Sequence, residues 1–277
     1  TGYEAIHLAT KSSGSRDKIY PLLGFQKFIG AADIDQIAYI RNFASDQTDF
    51  DLLISEYESA RKQTRDPFYA FTVTIQNHGG YSASQGLIDT PIQITSAEQK
   101  DEAAEQYINL IRTTDLAFEN LVSYFKNVEE PTVIIMFGDH QPKLEDSFYE
   151  LLYGKSLNSL SLKELQKKYT VPFIIWANYD IDAKSDVENV SANYLSSLML
   201  QQTNLKMSRY NEFLLNMRNE VPALNANGYV DKDGKNHELS ENNEYTKLIT
   251  QYQYLQYNSL MDKKHVSTDL FSVKDGK

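Results

Sequence analysis

The chain has 277 residues, a formal net charge of −11 and no cysteine. An acidic surface offers no basic face to follow a phosphate backbone, so no nucleic-acid partner is expected, and disulfides and thiolate metal sites are excluded outright. With 41% hydrophobic and 23% charged residues the composition is that of a folded domain with a sizeable core. No apolar run approaches the ~20 residues of a membrane span.

The chain opens in "TGYEAIHLA", a strand already under way with no initiating Met, as in a piece of a longer protein. Residues 3–9 are the first of four apolar runs of strand length; His7 within it reads as a hydrogen-bonded core residue. Residues 50–61 carry helix periodicity, and residues 68–76 are the second run. In 98–127, the clearest helix, Ala104, Ile108, Ile111, Phe118, Leu121, Val122 and Phe125 recur at three- and four-residue spacing. Asp115 falls on that stripe and reads as a structural, hydrogen-bonded carboxylate. Residues 132–137 and 171–177 are the third and fourth runs.

All four runs are continuously apolar rather than alternating, as in strands covered on both faces, and helices between them imply parallel pairing. The fold class expected is α/β, a mostly parallel sheet sandwiched between helical layers. Beyond it, Ser191 is placed to cap a helix through Leu195, Leu198 and Met199, and residues 210–217 form another that Pro222 ends. Residues 225–235 carry the turn chemistry of a small hairpin. The Tyr-rich segment 244–261 reads as an amphipathic helix packed on the outside, the alternative being a sugar-binding aromatic face. One domain is expected over 1–277: a strand-helix core over 1–181, then C-terminal helices and a hairpin over 182–277.

In open α/β sheets, ligands bind beyond the carboxyl ends of the strands. The first run leads to "KSSGSR", where Arg16 could clamp an oxyanion or simply sit at the surface. The second ends in "QNHGGY": His78 beside two glycines could contact a phosphate or exchange a proton, or be an ordinary loop histidine. The third ends in "GDHQP". Asp139 and His140 are the donor types a hard or borderline divalent ion takes, provided the chain bends between Gly138 and Pro142; the alternative is a turn-capping acid beside a solvated histidine.

Together these blocks, "GYEAIHLATKSSGSRDKIYPLLGFQKF", "PFYAFTVTIQNHGGY", "YINLIRTTDLAFENLVSYF", "PTVIIMFGDHQP", "VPFIIWANYDI" and "YQYLQYNSLM", resemble in order and spacing the sulfatase-like phosphoglycerol transferases of the alkaline phosphatase superfamily, which include the extracellular domains of lipoteichoic acid synthases. The resemblance covers nearly the whole chain. It implies transfer or hydrolysis at a phosphate or sulfate ester, with a divalent metal, manganese before magnesium or zinc, activating a threonine nucleophile. It implies that Asp139 and His140 are the second pair of metal ligands, that His78 contacts substrate and protonates the leaving group, and that Arg16 holds the phosphate. The implied partner is an anionic lipid headgroup or envelope polymer outside a bacterial cell membrane, with the parent protein membrane-anchored.

Two positions depart from the lipoteichoic acid synthases, Ala9 for an acidic residue and Gly14 for an aromatic one, so the glycerol-phosphate pocket would differ. The family's first acidic ligand and nucleophilic threonine precede the Gly-Tyr strand, and Thr10, Thr72, Thr74 and Thr132 do not occupy that motif. The expectation is therefore an N-terminally truncated catalytic domain, inactive alone, whose half-built site binds metal weakly and whose exposed sheet edge favours oligomers. The alternative is a non-catalytic module that binds anionic envelope polymers.

Overall fold

A computed structural model describes residues 15–95, 100–184, 187, 189–262 and 264–273, together with the backbone of 2–7. The expectations for the His7 side chain, Thr10, Ala9 and Gly14 lie outside the described residues. The chain divides into two compact units, Thr1–Val128 with Pro142–Gly154, and Glu129–Gln141 with Lys155–Lys277.

The first unit runs β1 (Gly2–His7), α1 (Arg16–Leu22), β2 (Lys27–Gly30), a tight pair β3 (Tyr39–Ile40) and β4 (Phe43–Ala44), α2 (Asp46–Gln63), β5 (Phe68–Val73), α3 (Glu102–Lys126) and α4 (Asp146–Tyr153). β1 is central, with β2 and β5 parallel on either side; Glu4 pairs with Lys27, and Gly2 through His7 pair with Phe68 through Val73. Parallel neighbours need a crossover, which the α1 segment supplies between β1 and β2. α2 starts where the Ser45 hydroxyl accepts from Thr48 N, packs on β5 and β1, and meets α3 through Phe50 against Phe118 and Tyr57 edge-on to Phe125 at 5.2 Å.

α3 begins at Glu102 because Asp101 caps it, accepting from Ala104 N at 2.8 Å. Most of the apolar stripe is covered as expected, with Ala104, Phe118, Leu121 and Phe125 buried, but the buried face also takes in polar side chains; Ile111 is 41% exposed and Asp115 is exposed, which corrects the expectation that Asp115 is a structural, hydrogen-bonded acid on that face. The reason is a polar seam. Gln106 grips Ile88 N and O, Asn109 grips Ile92 N and O, and Glu105 accepts from Ile94 N. These side chains act as a surrogate strand for an extended segment whose amides need partners, so hydropathy alone misses the polar part of the buried face.

The second unit runs β6 (Val133–Phe137), α5 (Leu162–Lys168), β7 (Phe173–Ala177), α6 (Ala192–Gln202), α7 (Arg209–Glu220), a meander of β8 (Ala223–Asn225), β9 (Gly228–Val230) and β10 (Asn236–His237), then α8 (Thr246–Leu260) and α9 (Thr268–Phe271). β6 and β7 pair antiparallel, Val133 with Ala177 and Phe137 with Phe173, against the expected parallel pairing. The connection returns the chain at the end where β6 stopped, and only antiparallel strands can be joined that way. Asn178 extends the ladder, accepting from Thr132 N at 2.8 Å and donating to Glu130 O at 2.9 Å.

Ser191 occupies the N-cap of α6 without capping it; its hydroxyl donates to Leu224 O at 2.8 Å and so ties the helix start to β8. Tyr194, Leu198, Leu214, Met217 and Tyr252 form the core between α6, α7 and α8; burying each side chain of Leu or Met size contributes roughly 1.5–3 kcal/mol. α8 is the external amphipathic helix expected, with Tyr252 buried and Tyr254, Tyr257 and Leu260 exposed.

Candidate active site

The chain after β5 turns sharply at residues 74–81, with His78 N donating to Ile75 O. Gln76 anchors the turn from within. It is fully buried; its Oε1 accepts from Asp46 N at 3.0 Å and its Nε2 donates to Thr114 Oγ1 at 3.2 Å. Thr114 is a hub, accepting also from Asn77 Nδ2 at 2.7 Å and donating to Asp46 Oδ2 at 2.6 Å. Asp49 accepts from the Thr72 hydroxyl at 2.6 Å. Burial raises both carboxyls above the usual range. Asp49 reaches about 7, the Thr72 hydrogen bond offsetting part of the burial and the neighbouring Asp46 charge adding to it.

His78 projects from this rigid base into solvent. Its Nδ1 lies 3.3 Å from Gly79 O, a pure acceptor, so Nδ1 carries a proton and Nε2 is the working atom. The ring lies against Phe43, centroids 5.7 Å apart. Gly80 has φ 88°, and a Cβ there would meet Gln85 Cγ at 2.9 Å, so glycine is required on both counts.

In the second unit, Gly138 N donates to Pro172 O and carries the β6–β7 ladder one residue further before the chain bends, as the "GDHQP" stretch predicts. Asp139 Oδ2 and His140 Nε2 stand 3.5 Å apart, both well exposed. His140 Nδ1 donates to Gln141 O at 2.8 Å, and Gln141 Nε2 donates to Thr170 O. That bond fixes the tautomer and leaves Nε2 with a free lone pair, the arrangement a ligating histidine needs. Two donors about 2.1 Å from one ion stand roughly 3.0–3.4 Å apart at octahedral to tetrahedral angles, and the observed 3.5 Å lies just above that span. As an exposed ion pair the same contact would stabilise little. Among the described residues no group of three or more His, Asp or Glu side chains is gathered to hold an ion.

Arg16 is the first residue of α1 and exposed; it follows Ser15 in the left-handed region at φ 66°, and its charge lowers the Tyr20 hydroxyl against the upward push of burial. Thus Asp139 and His140 meet in one unit, while Arg16 and His78 belong to the other. Of the threonines set aside as nucleophiles, Thr72 donates to Asp49 and Thr132 to Glu130 O.

Two residues escaped the sequence reading. Arg41, at φ 58° in the β3–β4 turn, reaches across to the His78 loop. His237 is 4% exposed and stacked on Tyr229, with Nε2 on Asp231 and Nδ1 on Glu241, both at 2.7 Å. Hydrogen bonds from Asp231 and Glu241 raise its pKa. Burial pushes Asp231 up, but His237 and the Lys235 and Asp233 amides outweigh it, and the carboxyl ends below its usual range. Only the Asp-x-Asp-Gly turn at 231–234 hints at that cluster in sequence.

The fold is similar over 98% of the chain to that of a protein in the alkaline phosphatase superfamily from Vibrio parahaemolyticus, with a TM-score of 0.54, 14% identity and 66% of that chain covered. It is similar over 99% of the chain to the Streptococcus pyogenes phosphoglycerol transferase GacH in complex with sn-glycerol-1-phosphate, with a TM-score of 0.72, 19% identity and 65% of that chain covered. Residues 1–205 match the Sulfatase family, and the chain belongs to it. A protein assigned to cyclic beta-1,2-glucan modification in Rhizobium meliloti (strain 1021) is 24% identical over 272 residues, 96% of this chain and 42% of that protein. Lipoteichoic acid synthase 1 of Bacillus subtilis (strain 168) is 29% identical over 142 residues, 49% of this chain and 20% of that protein. The chain spans less than half the length of these curated relatives.

Proposed function

We propose that this chain is the larger part of a catalytic domain that transfers a phosphate-bearing headgroup, phosphoglycerol before phosphoethanolamine, to an acceptor in the bacterial cell envelope outside the membrane. The observation that carries it is the Asp139–His140 pair at 3.5 Å, its imidazole oriented through Nδ1. Family membership supports the ester chemistry, and the glycerol phosphate bound to GacH supports the headgroup. Among the described residues no helix is long and apolar enough to cross a membrane.

Asp139 Oδ2 and His140 Nε2 would hold a divalent ion, manganese before magnesium or zinc, which when bound supplies Lewis acidity and neutralises charge at the nucleophile and phosphoryl oxygens. Arg16 offers a fork of N–H donors to the phosphoryl oxygens. His78 gives a proton from Nε2 to the leaving oxygen as its bond to phosphorus breaks, while Nδ1 stays on Gly79 O.

The test is turnover by the full-length gene product with Mn²⁺ on a phosphatidylglycerol analogue, a phosphoethanolamine lipid and an aryl sulfate. His140→Ala should abolish turnover of the preferred ester and Mn²⁺ binding by the 277-residue chain in calorimetry. Metal-independent tight binding of teichoic-acid polymer with no turnover of any ester would instead establish the non-catalytic module.

A further inference from the structure

The His78 turn is fixed from outside to an unusual degree. Arg41 Nη2 donates to Gln76 O and to His78 O, both at 2.8 Å, and Nη1 donates to Gly80 O at 3.1 Å. Tyr81 OH donates to Asn77 O at 2.9 Å, and His78 Nδ1 takes Gly79 O. Every carbonyl from 76 to 80 therefore has a side-chain donor, and one guanidinium supplies three of them. The guanidinium lies over the Phe43 ring at 4.8 Å and the Tyr81 ring at 5.4 Å. Phe43 is also the ring that contacts His78, tilted at 45°, so it touches both the guanidinium and the imidazole.

A turn with two adjacent glycines has many backbone states, and its carbonyls would otherwise face water. Holding a planar fork against three of them selects one state. The fork commits three of its donors to backbone, so Arg41 is held on the loop. Arg41 itself sits at φ 58°, a conformation non-glycine residues rarely adopt; that cost is borne in the short β3–β4 turn, whose geometry points the side chain at the loop.

We propose that Arg41 is a positioning residue, whose guanidinium clamps the carbonyls of Gln76, His78 and Gly80 and thereby aims the His78 imidazole at the reacting headgroup. This rests on the assignment of His78 given above. Lysine is no substitute: an ammonium is a point charge that cannot bridge three carbonyls in one plane.

The experiment is a double-mutant cycle in the full-length gene product, with NMR of ¹⁵N-histidine-labelled 277-residue chain. Arg41→Gln should lower kcat about 10- to 100-fold, as a misplaced catalytic group does, with KM changed less than about 2-fold. Arg41→Lys should recover little of it. In a His78→Ala background, Arg41→Gln should cost nothing further, because what it positions is gone. The His78 ring should show one tautomer, protonated at Nδ1, in the parent chain and averaged tautomers in both Arg41 variants. Should Arg41→Gln fail to fold, Arg41→Lys and Phe43→Leu carry the same cycle. Wild-type kcat in the Arg41 variants, a loss that adds to that of His78→Ala, or an unchanged tautomer overturns the proposal. Full activity of His78→Ala overturns the role of His78, and the clamp with it.

Discussion

Each unit keeps a cluster of ionisable side chains away from water, and the two clusters are settled in opposite ways. In the first, Asp46 and Asp49 lie one helical turn apart, each 1% exposed, each with one oxygen hydrogen-bonded to a threonine and the other without a partner. No cation is among their hydrogen-bond partners, so the carboxyls are driven toward the neutral form. In the second, His237 takes a carboxylate on each nitrogen, and the charge is kept. Buried charge is either given up to a proton or matched by a partner, and the choice sets how each unit responds to pH.

For Asp49 the folded pKa is raised, so its contribution is complete below the ordinary carboxyl range and is lost as pH climbs through about 7. His237 is also raised, so its contribution is present below about 6.5 and lost as pH passes its elevated value. Asp231 and Glu241 are lowered; their contribution is present above the ordinary carboxyl range and lost as pH falls through their folded values. The first unit should therefore soften only on the alkaline side, and the second on both.

The largest effect should come from His237→Ala, which leaves Asp231 and Glu241 facing each other without a cation. A loss of about 3 kcal/mol is expected in urea melts followed by a probe in the second unit. Thr114→Val should cost about 2 kcal/mol, because it takes a partner from Asn77 Nδ2 and Asp46 Oδ2 and leaves Gln76 Nε2 only its longer bonds to Leu110 O and Asn77 Oδ1; hydrogen exchange should rise at 76–78. Asp49→Asn should stabilise at pH 8 by about 1 kcal/mol, a few degrees in Tm, and do nothing at pH 5; an equal gain at both would mean that Asp49 does not titrate. Tyr81→Phe, which removes only the bond to Asn77 O, should cost about 0.5–1 kcal/mol.

What was legible in sequence follows from what each feature depends on. The four apolar runs became β1, β5, β6 and β7 because burial of a continuous run is a local property. β2 was not seen, since Lys27–Gly30 has four residues, two of them at odds with a strand, and exists through pairing with β1. Asp139 and His140 were visible because both donors sit side by side after a glycine. Arg41 was not, because its partners lie 35 to 39 residues away and are backbone atoms, which carry no residue signature. The polar part of the buried face of α3 was hidden for the same reason: its polar side chains pair with backbone at 88–94.

Gly138 is not one of the left-handed glycines, yet a Cβ there would come within 3.1 Å of Val171 Cβ. The room at the glycine before Asp139 is thus limited by the Cβ of a residue 33 positions later. In a randomised library the two sites should vary as one: alanine at 138 should be recovered with glycine at 171, because even alanine there keeps the Cβ that lies 3.1 Å away, and disfavoured with valine retained. The acid that opens the "DH" pair has its position inherited from an apolar neighbour across the strand, so drift in that neighbour would retune the pair without touching either member.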